Sequence, residues 1–352
     1  MKKKTETVRT DDQGEQTVRN FTIVEGYSSS LSLRETQKAI KYVKDTFQKE
    51  LKAALGLERI SAPLFVEKGS GINDDLNGTE RKVSFDLKET GQEAEVVQSL
   101  AKWKRVALHT YGFSVGEGLY TDMSAIRRDD DMDNLHSIYV DQWDWEKVIS
   151  REQRSREYLR DTVSRIAVAI AKTKRHVRAE YPSLSATLSP DVFFITSQEL
   201  EDAYPELDSK GREYEIVKKH KTVFIEQIGK VLRSGRKHDG RAPDYDDWEL
   251  NGDLLYWDDV LSCPIEISSM GIRVDAESLA RQLELAGATD RMKYPYHRAI
   301  ADGTLPLTIG GGIGQSRLCL LLLEKMHIGE VQSSIWDESV REECRKAGIN
   351  LL

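Results

Sequence analysis

Three consecutive glycines, Gly310, Gly311 and Gly312, lead through Ile313 and Gly314 to Gln315, Ser316 and Arg317, and then into an apolar run over residues 318–323. Glycines let a backbone approach a ligand or a neighbouring segment with no Cβ in the way. The apolar run predicts a buried helix, and Arg317 stands at the junction. A guanidinium there is always charged and clamps an anion through paired donors. This order of residues suggests a nucleoside triphosphate site. It is neither a phosphate loop of the G-x-x-x-x-G-K-[ST] kind nor a clean dinucleotide fingerprint.

Four other stretches hold chemistry-bearing residues. Arg127 and Arg128 precede three aspartates at 129–131, and the strand-like segment 137–146 follows with Ser137, Gln142 and Asp144. Residues two apart on a strand face the same way, so Gln142 and Asp144 point into one pocket. By the same rule Glu266 and Ser268 share a face, suited to a nucleotide or a metal. Arg241, Asp244, Asp246 and Asp247, then Asp253, make a dense acidic cluster that could hold magnesium near a triphosphate, since that ion favours a few carboxylates with phosphate oxygens. Ser99 sits at a helix start with Lys104 one to two turns in. Taken singly, the first and last read better as a charged hairpin tip and an amphipathic helix with a basic face. The Glu266–Ser268 segment reads equally well as an exposed strand face, and the acidic cluster away from a triphosphate is a solvated loop. The histidines are scattered, with no H-E-x-x-H, no cysteine–histidine pair at metal spacing and no G-x-S-x-G elbow.

The elements that must position these residues follow from periodicity. Ser32 and Glu35 form a capping-box pattern, and apolar residues at three- and four-residue spacing predict a helix closed by Gly56. Residues 59–66 read as a strand whose Pro63 places it at an edge or interface. Gly69 to Gly78 is a loop, 85–87 and 95–97 are short strands, and a helix spans 99–111. Extended segments at 119–126 and 137–145 flank the acidic turn, and a long helix covers 156–180. Further strands fall at 192–196, 222–228, 254–257 and 264–270, with helical pieces between them and a helix at 276–285. The basic segment 230–241 reads as a mobile loop. This irregular mixture predicts an α+β domain with a mainly antiparallel sheet flanked by helices. Residues 1–30 read as a polar, mobile extension, with a poorly anchored strand around 21–24 as the alternative, and 31–352 as a single domain.

Composition bounds the setting. The chain has 352 residues, 39% hydrophobic and 31% charged, with a net charge of −8. No apolar run approaches a membrane span, and the start of the chain carries no signal pattern. Three separated cysteines fit a reducing compartment, so a cytoplasmic protein is expected. The acidic balance argues against broad nucleic-acid binding.

In order, the segments QSLAKWKR (98–105), GEGLYTDM (116–123), HSIYVDQWDWE (136–146), RAPDYDDW (241–248), LNGD (250–253), EISSMGIRVD (266–275) and TIGGGIGQSRL (308–318) resemble those of the ammonia-dependent asparagine synthetases. That family is related to the class II aminoacyl-tRNA synthetases. The resemblance covers residues 33–352. It implies the class II catalytic fold, a homodimer built through the first motif, which is the helix closed by Gly56 with the proline-containing strand 59–66, and formation of asparagine from L-aspartate, ammonia and ATP through a β-aspartyl-adenylate, releasing AMP and pyrophosphate. It also implies that Asp75, Ser99, Lys104, Gln142, Asp144 and Arg273 surround aspartate. Arg127, Ser137, Arg241, Asp246, Glu266, Ser268 and Arg317 would surround ATP, with Mg2+ held near Asp253 and Glu266. Asp75, Arg127, Gln142 and Arg317 are the implied catalytic residues, Asp75 being the one that binds ammonium or takes its proton. The first thirty residues and a shorter loop between Trp248 and Asn251 depart from the short bacterial form.

Three other readings compete. An aspartyl- or asparaginyl-tRNA synthetase-like enzyme needs an anticodon-binding barrel, for which about thirty polar residues are too few. A glutamine amidotransferase needs a cysteine nucleophile after Met1, where Lys2 stands. A catalytically inactive paralogue acting as a binding protein predicts losses among the pocket residues, and none is evident.

Overall fold

The computed structural model describes residues 3–10, 16–74, 76 and 80–352, with 3–10 and 16–20 described by backbone alone. A hairpin of β1 (Lys3–Thr10) and β2 (Gln16–Ile23) comes first, then helix α1 (Leu33–Leu55). Three short strands follow: β3 (Leu57–Arg59), β4 (Phe65–Glu67) and β5 (Ser84–Asp86). After them come β6 (Glu93–Val96), α2 (Ala101–Thr110), β7 (Gly118–Ile126), β8 (Tyr139–Val148) and α3 (Arg156–Glu180). The chain continues through β9 (Phe193–Thr196), α4 (Ser197–Ala203), α5 (Ser209–His220), β10 (Thr222–Glu226), β11 (Asp246–Asp258) and β12 (Cys263–Arg273). It closes with α6 (Ala276–Leu285), α7 (Pro295–Ala301), β13 (Thr308–Gly314), α8 (Gln315–Leu322) and α9 (Glu338–Lys346).

Eight strands form the main sheet in the order β3-β7-β8-β13-β12-β11-β10-β9. Its six inner strands pair antiparallel, whereas β3 and β9 join the two edges in parallel. The predicted antiparallel α+β architecture therefore holds for the body of the sheet. The continuous strand expected at 59–66 is instead two pieces in different sheets. β3 lies beside β7 and β4 beside β6, and Pro63, which cannot donate to a ladder, stands in the break.

Alternation along β8 sorts the faces. Trp143 and Trp145 are fully buried in the main core, where Phe47 of α1 meets Trp143 at 4.8 Å between ring centroids. The same core takes Ile166 and Ile170 of α3 and Leu318 and Leu322 of α8. Gln142, Asp144 and Glu146 thus face the other way, Gln142 and Asp144 into the cavity described below and Glu146 buried beyond its lining. The Ser32 cap of α1 accepts from the Glu35 amide, and Gly56 closes the helix at φ 70°.

Two segments read as mobile carry specific contacts, though residues 1–2 and 11–15 of the first lie outside the described residues. Phe21, at 2% exposure, packs with Met326, Val340 and Cys344, and the Tyr27 hydroxyl donates to Glu330 at 3.0 Å. The segment carries the end of β2, and the stretch from Phe21 onward is docked rather than poorly anchored. Segment 230–241 is also tied down. Val231 bridges Lys237, Ser234 donates to Glu201 at 2.7 Å, and His238 meets Glu213 at 3.2 Å. Ser234 and His238 thus find partners on α4 and α5, while Arg236, Lys237 and Asp239 stay exposed.

Candidate active site

A cavity of about 310 Å³ opens on the polar face of the sheet. Its floor is made by β8, β13 and β12. In register, Gly312 lies between Asp144 and Ser269, and Gly310 lies beside Glu146. A Cβ on Gly310 would run into the Glu146 carboxylate, with its Cδ at 2.5 Å. One on Gly312 would meet Asp144 Oδ1 at 2.9 Å and the Gln142 carboxamide carbon at 2.9 Å. Gly311 faces the core, where a Cβ would meet Met270 Cβ at 2.5 Å. The glycine run makes room for side chains of two adjacent strands. All three residues are ordinary extended strand, so they need small size and not a left-handed backbone.

Charged groups converge at one end of the floor. Lys104 reaches in from α2, donates to the Gly311 carbonyl at 2.9 Å and pairs with Asp144 at 3.0 Å. It is 1% exposed, so burial pulls its ammonium below the ordinary value while Asp144 opposes the shift. The expected basic surface on this helix does not exist, for Lys102, Lys104 and Arg105 are all buried. Arg273 lies between Glu146, at 2.7 Å, and Asp246. Burial opposes its charge, but the two carboxylates outweigh burial and hold it ionised. Glu146 is in turn held below the ordinary carboxylate range, Arg273 overcoming the cost of burial, and it accepts from Thr308 at 2.7 Å. Asp246, expected beside ATP, is thus a partner of Arg273. It stands at this end because Asp246 and Arg273 are opposed across β11 and β12.

At the other end, Arg317 bonds the Glu266 carbonyl at 3.2 Å and lies 3.9 Å from its carboxylate. Arg127, just past β7, is anchored to the Gln98 carbonyl at 3.3 Å. Arg241 donates to Ser269 at 2.7 Å and to Asp253 at 2.6 Å. Enclosure and the Asp253 charge both push the Glu266 carboxyl up, although 40% of that side chain stays open to the cavity. Ser137 bonds Ser334 at 3.0 Å along the same wall.

Of the residues singled out from sequence, Ser99, Lys104, Arg127, Ser137, Gln142, Asp144, Arg241, Asp246, Glu266, Arg273 and Arg317 line this one cavity. Asp253 stands behind Arg241 and outside the lining. Ser268 is a correction. β12 pairs Ser268 with Leu254 but Glu266 with Leu255, so Ile267 is the extra residue of a β-bulge. The bulge reverses the alternation, turning Ser268 away to donate to the Gly312 carbonyl at 2.9 Å and bringing Ser269 to the cavity. Asp75 lies outside the described residues. Its neighbour Asp74 is at the cavity wall, with Oδ1 accepting from the Leu76 amide at 3.0 Å and Oδ2 buried without a partner among the described residues. Burial pushes this carboxyl up while Lys102 opposes. Sequence reasoning missed Asp74, Ser269 and Glu146. Only Glu146 carried a usable signal, as it continues the Gln142–Asp144 alternation.

Among the described residues no three His, Cys, Asp or Glu side chains could hold a metal by themselves. Glu266 beside Asp253 fits an ion bound mainly through phosphate oxygens. No helix among the described residues is long and apolar enough to cross a membrane.

Comparison with known proteins gives one answer. The sequence profile of aspartate–ammonia ligases matches residues 34–348. An aspartate–ammonia ligase of Bacillus cytotoxicus is 57% identical over 92% of this chain and 99% of its own length. One from Lactobacillus acidophilus is 58% identical over 93% of this chain and 98% of its own length. Among solved structures, the asparaginyl-tRNA synthetase of Pyrococcus horikoshii, complexed with asparaginyl-adenylate, superposes with a TM-score of 0.62 at 15% identity, covering 93% of this chain and 80% of that one. That of Entamoeba histolytica also gives 0.62, at 14% identity, covering 85% and 67%. These two share the fold, a class II synthetase catalytic domain. With the profile matched almost end to end and relatives above half identity over nearly their whole length, the chain belongs to the aspartate–ammonia ligase family and is an enzyme that converts aspartate to asparagine.

Proposed function

We propose that the cavity activates L-aspartate with ATP as a β-aspartyl-adenylate and then admits ammonia. The observation that carries this is one cavity with two charged ends: Lys104, Asp144 and Arg273 at one, Arg127 and Arg317 at the other. Asp144 meets the substrate ammonium, while Lys104 and Arg273 meet its carboxylates. Gln142, on the floor between the ends, orients the reacting carboxylate. Arg127 and Arg317 neutralise the phosphates, with Arg241, Ser137 and Ser269 completing the nucleotide wall. A carboxylate is a poor electrophile, and adenylation supplies a leaving group, so the protein's contribution is positioning and charge neutralisation. Mg2+ near Glu266 and Asp253 would supply further charge neutralisation on the triphosphate when bound.

For the second step we assign to Asp74 the role first expected of Asp75. A buried carboxylate oxygen at the cavity wall, lacking a partner among the described residues, attracts ammonium and accepts a proton. The nitrogen of ammonia then bonds the β-carbonyl carbon, and the C–O bond to AMP breaks.

Exposed Leu64, Phe65 and Phe85, with the two rings 5.2 Å apart, form an apolar patch beside the first motif. This exposed patch supports a homodimer in which a second copy of the chain covers it. Three cysteines that form no disulfide support a cytoplasmic location. The deciding assay supplies aspartate, ATP, Mg2+ and ammonium. Equimolar asparagine, AMP and pyrophosphate are expected, and ADP with phosphate would sink the adenylate route.

A further inference from the structure

Behind the cavity wall lies a second set of buried charges with no part in the roles above. Lys102 and Lys104 are two residues apart on α2, so their side chains leave the helix roughly 160° apart. Lys104 turns to Gly311 and Asp144. Lys102 turns the other way, pairing with Asp244 at 2.9 Å and donating to the Asn73 carbonyl at 3.4 Å. Asp244 also meets His297 Nε2 at 3.0 Å and accepts from Arg291 at 2.8 Å. Lys102, Asp244 and His297 are each 2% exposed or less. Burying so much charge is costly unless the geometry is used.

What this cluster grips is the turn that presents Asp74. The Asn73 side chain accepts from the Asp74 amide at 3.0 Å and the Gln98 amide at 2.9 Å, and donates to the Val96 carbonyl at 3.1 Å. Gly71, two residues before Asn73, lies so close to Tyr294 that a Cβ there would meet the ring at 2.6 Å. Tyr294 directly precedes α7, which carries His297. The turn is therefore fastened from α2 and from α7.

We propose that Lys102, backed by Asp244 and His297, is a positioning residue for the amidation step, holding the turn so that the Asp74 carboxylate meets ammonium. This rests on the assignment of Asp74 above. No hydrogen bond or ion pair of Lys102 reaches Lys104, Gln142, Arg273 or Arg317, so aspartate activation is expected not to depend on it.

The two half-reactions separate these roles. Aspartate-dependent ATP–pyrophosphate exchange without ammonium reads activation, and asparagine formation at varied ammonium reads amidation. Lys102→Met is expected to keep exchange within about twofold of the parent and to raise the ammonium KM about tenfold or more, with Lys102→Arg recovering part of the loss. His297→Gln, which leaves Lys102 in place, gives the same split in smaller measure and serves if Lys102→Met does not fold. Exchange and amidation falling together in both variants, or an unchanged ammonium KM, overturns the proposal. Asp74→Asn tests the underlying assignment separately. Loss of exchange there removes Asp74 from the amidation role, whereas a pure ammonium defect in Asp74→Asn with none in Lys102→Met removes only the role of Lys102.

Discussion

Gly312→Ala should damage catalysis far more than folding. A Cβ at this position lies 2.9 Å from Asp144 Oδ1 and 2.9 Å from the Gln142 carboxamide carbon, with the Gln142 oxygen closer still, against an ordinary contact of 3.4 Å. Both groups must retreat by about 0.5 Å, and the Gln142 oxygen by about 1 Å. They are side-chain ends facing an open cavity, so the retreat costs roughly 0.5–1.5 kcal/mol of rotamer strain. A misplacement of about 1 Å at a reacting centre costs on the order of 100-fold in rate, or about 2.7 kcal/mol of transition-state stabilisation. The kcat/KM for aspartate should therefore fall about 100-fold while the melting temperature drops only a few degrees. Gly311→Ala is the control. Its Cβ meets Met270 Cβ at 2.5 Å and the Ser269 carbonyl at 2.7 Å, neither of which can swing aside. It should lose stability first. Steady-state kinetics with thermal melts of both variants decide the matter. A Gly312→Ala enzyme with parental aspartate kinetics, or one that unfolds as readily as Gly311→Ala, would refute the assignment of this strand face to the substrate.

The bulge predicts a contrast between adjacent serines. Ser269→Ala removes a partner of Arg241 and should raise the KM for ATP several-fold, whereas Ser268→Ala should cost about 1 kcal/mol of stability with unchanged kinetics, measured by denaturant titration. Arg317→Ala should abolish asparagine formation with the far-UV spectrum intact, and retained turnover would remove Arg317 from the phosphate clamp. His327 is 1% exposed, and burial lowers its imidazole from 6.5 to about 4. The unfolded chain then takes up a proton that the folded one refuses as pH falls from 6.5 to about 4. Stability should decline through that window by roughly 3 kcal/mol and level off below it. A His327→Gln variant whose pH–stability curve keeps the same slope would exclude this histidine as the cause.

Much of the site was legible because its residues sit on regular elements. Gln142 and Asp144 alternate with Trp143 and Trp145, so strand period alone sends them to one face. The helix that carries Lys104 was evident too, but its burial was not, since the partners Gly311 and Asp144 lie far along the chain. Ser268 failed for a local reason. One extra residue at Ile267 breaks the alternation, and nothing in the composition of residues 264–270 announces it. Asp246 was legible as a cavity residue, but its pairing with Arg273 was not, because that depends on the register of β11 against β12. The fastening of 230–241 and of Phe21 rests on partners distant in sequence, which a reading of polarity cannot supply.

The docking of Phe21 has a consequence in time. The small core that receives it is completed by Met326, Val340, Cys344 and Ile349, over three hundred residues later. The same late stretch supplies Ile328 and Gln332 to the cavity wall and Ser334 to Ser137. During synthesis the sheet can assemble strand by strand, but the nucleotide wall cannot close until Ser334 has been made, nor this core until Ile349. A nascent chain arrested after β13 would hold the aspartate end of the cavity and leave Phe21 bare, exposing apolar surface that invites association with other chains. Catalytic competence and burial of the first segment are therefore one late event, and a pulse-labelled synthesis series should see them appear together.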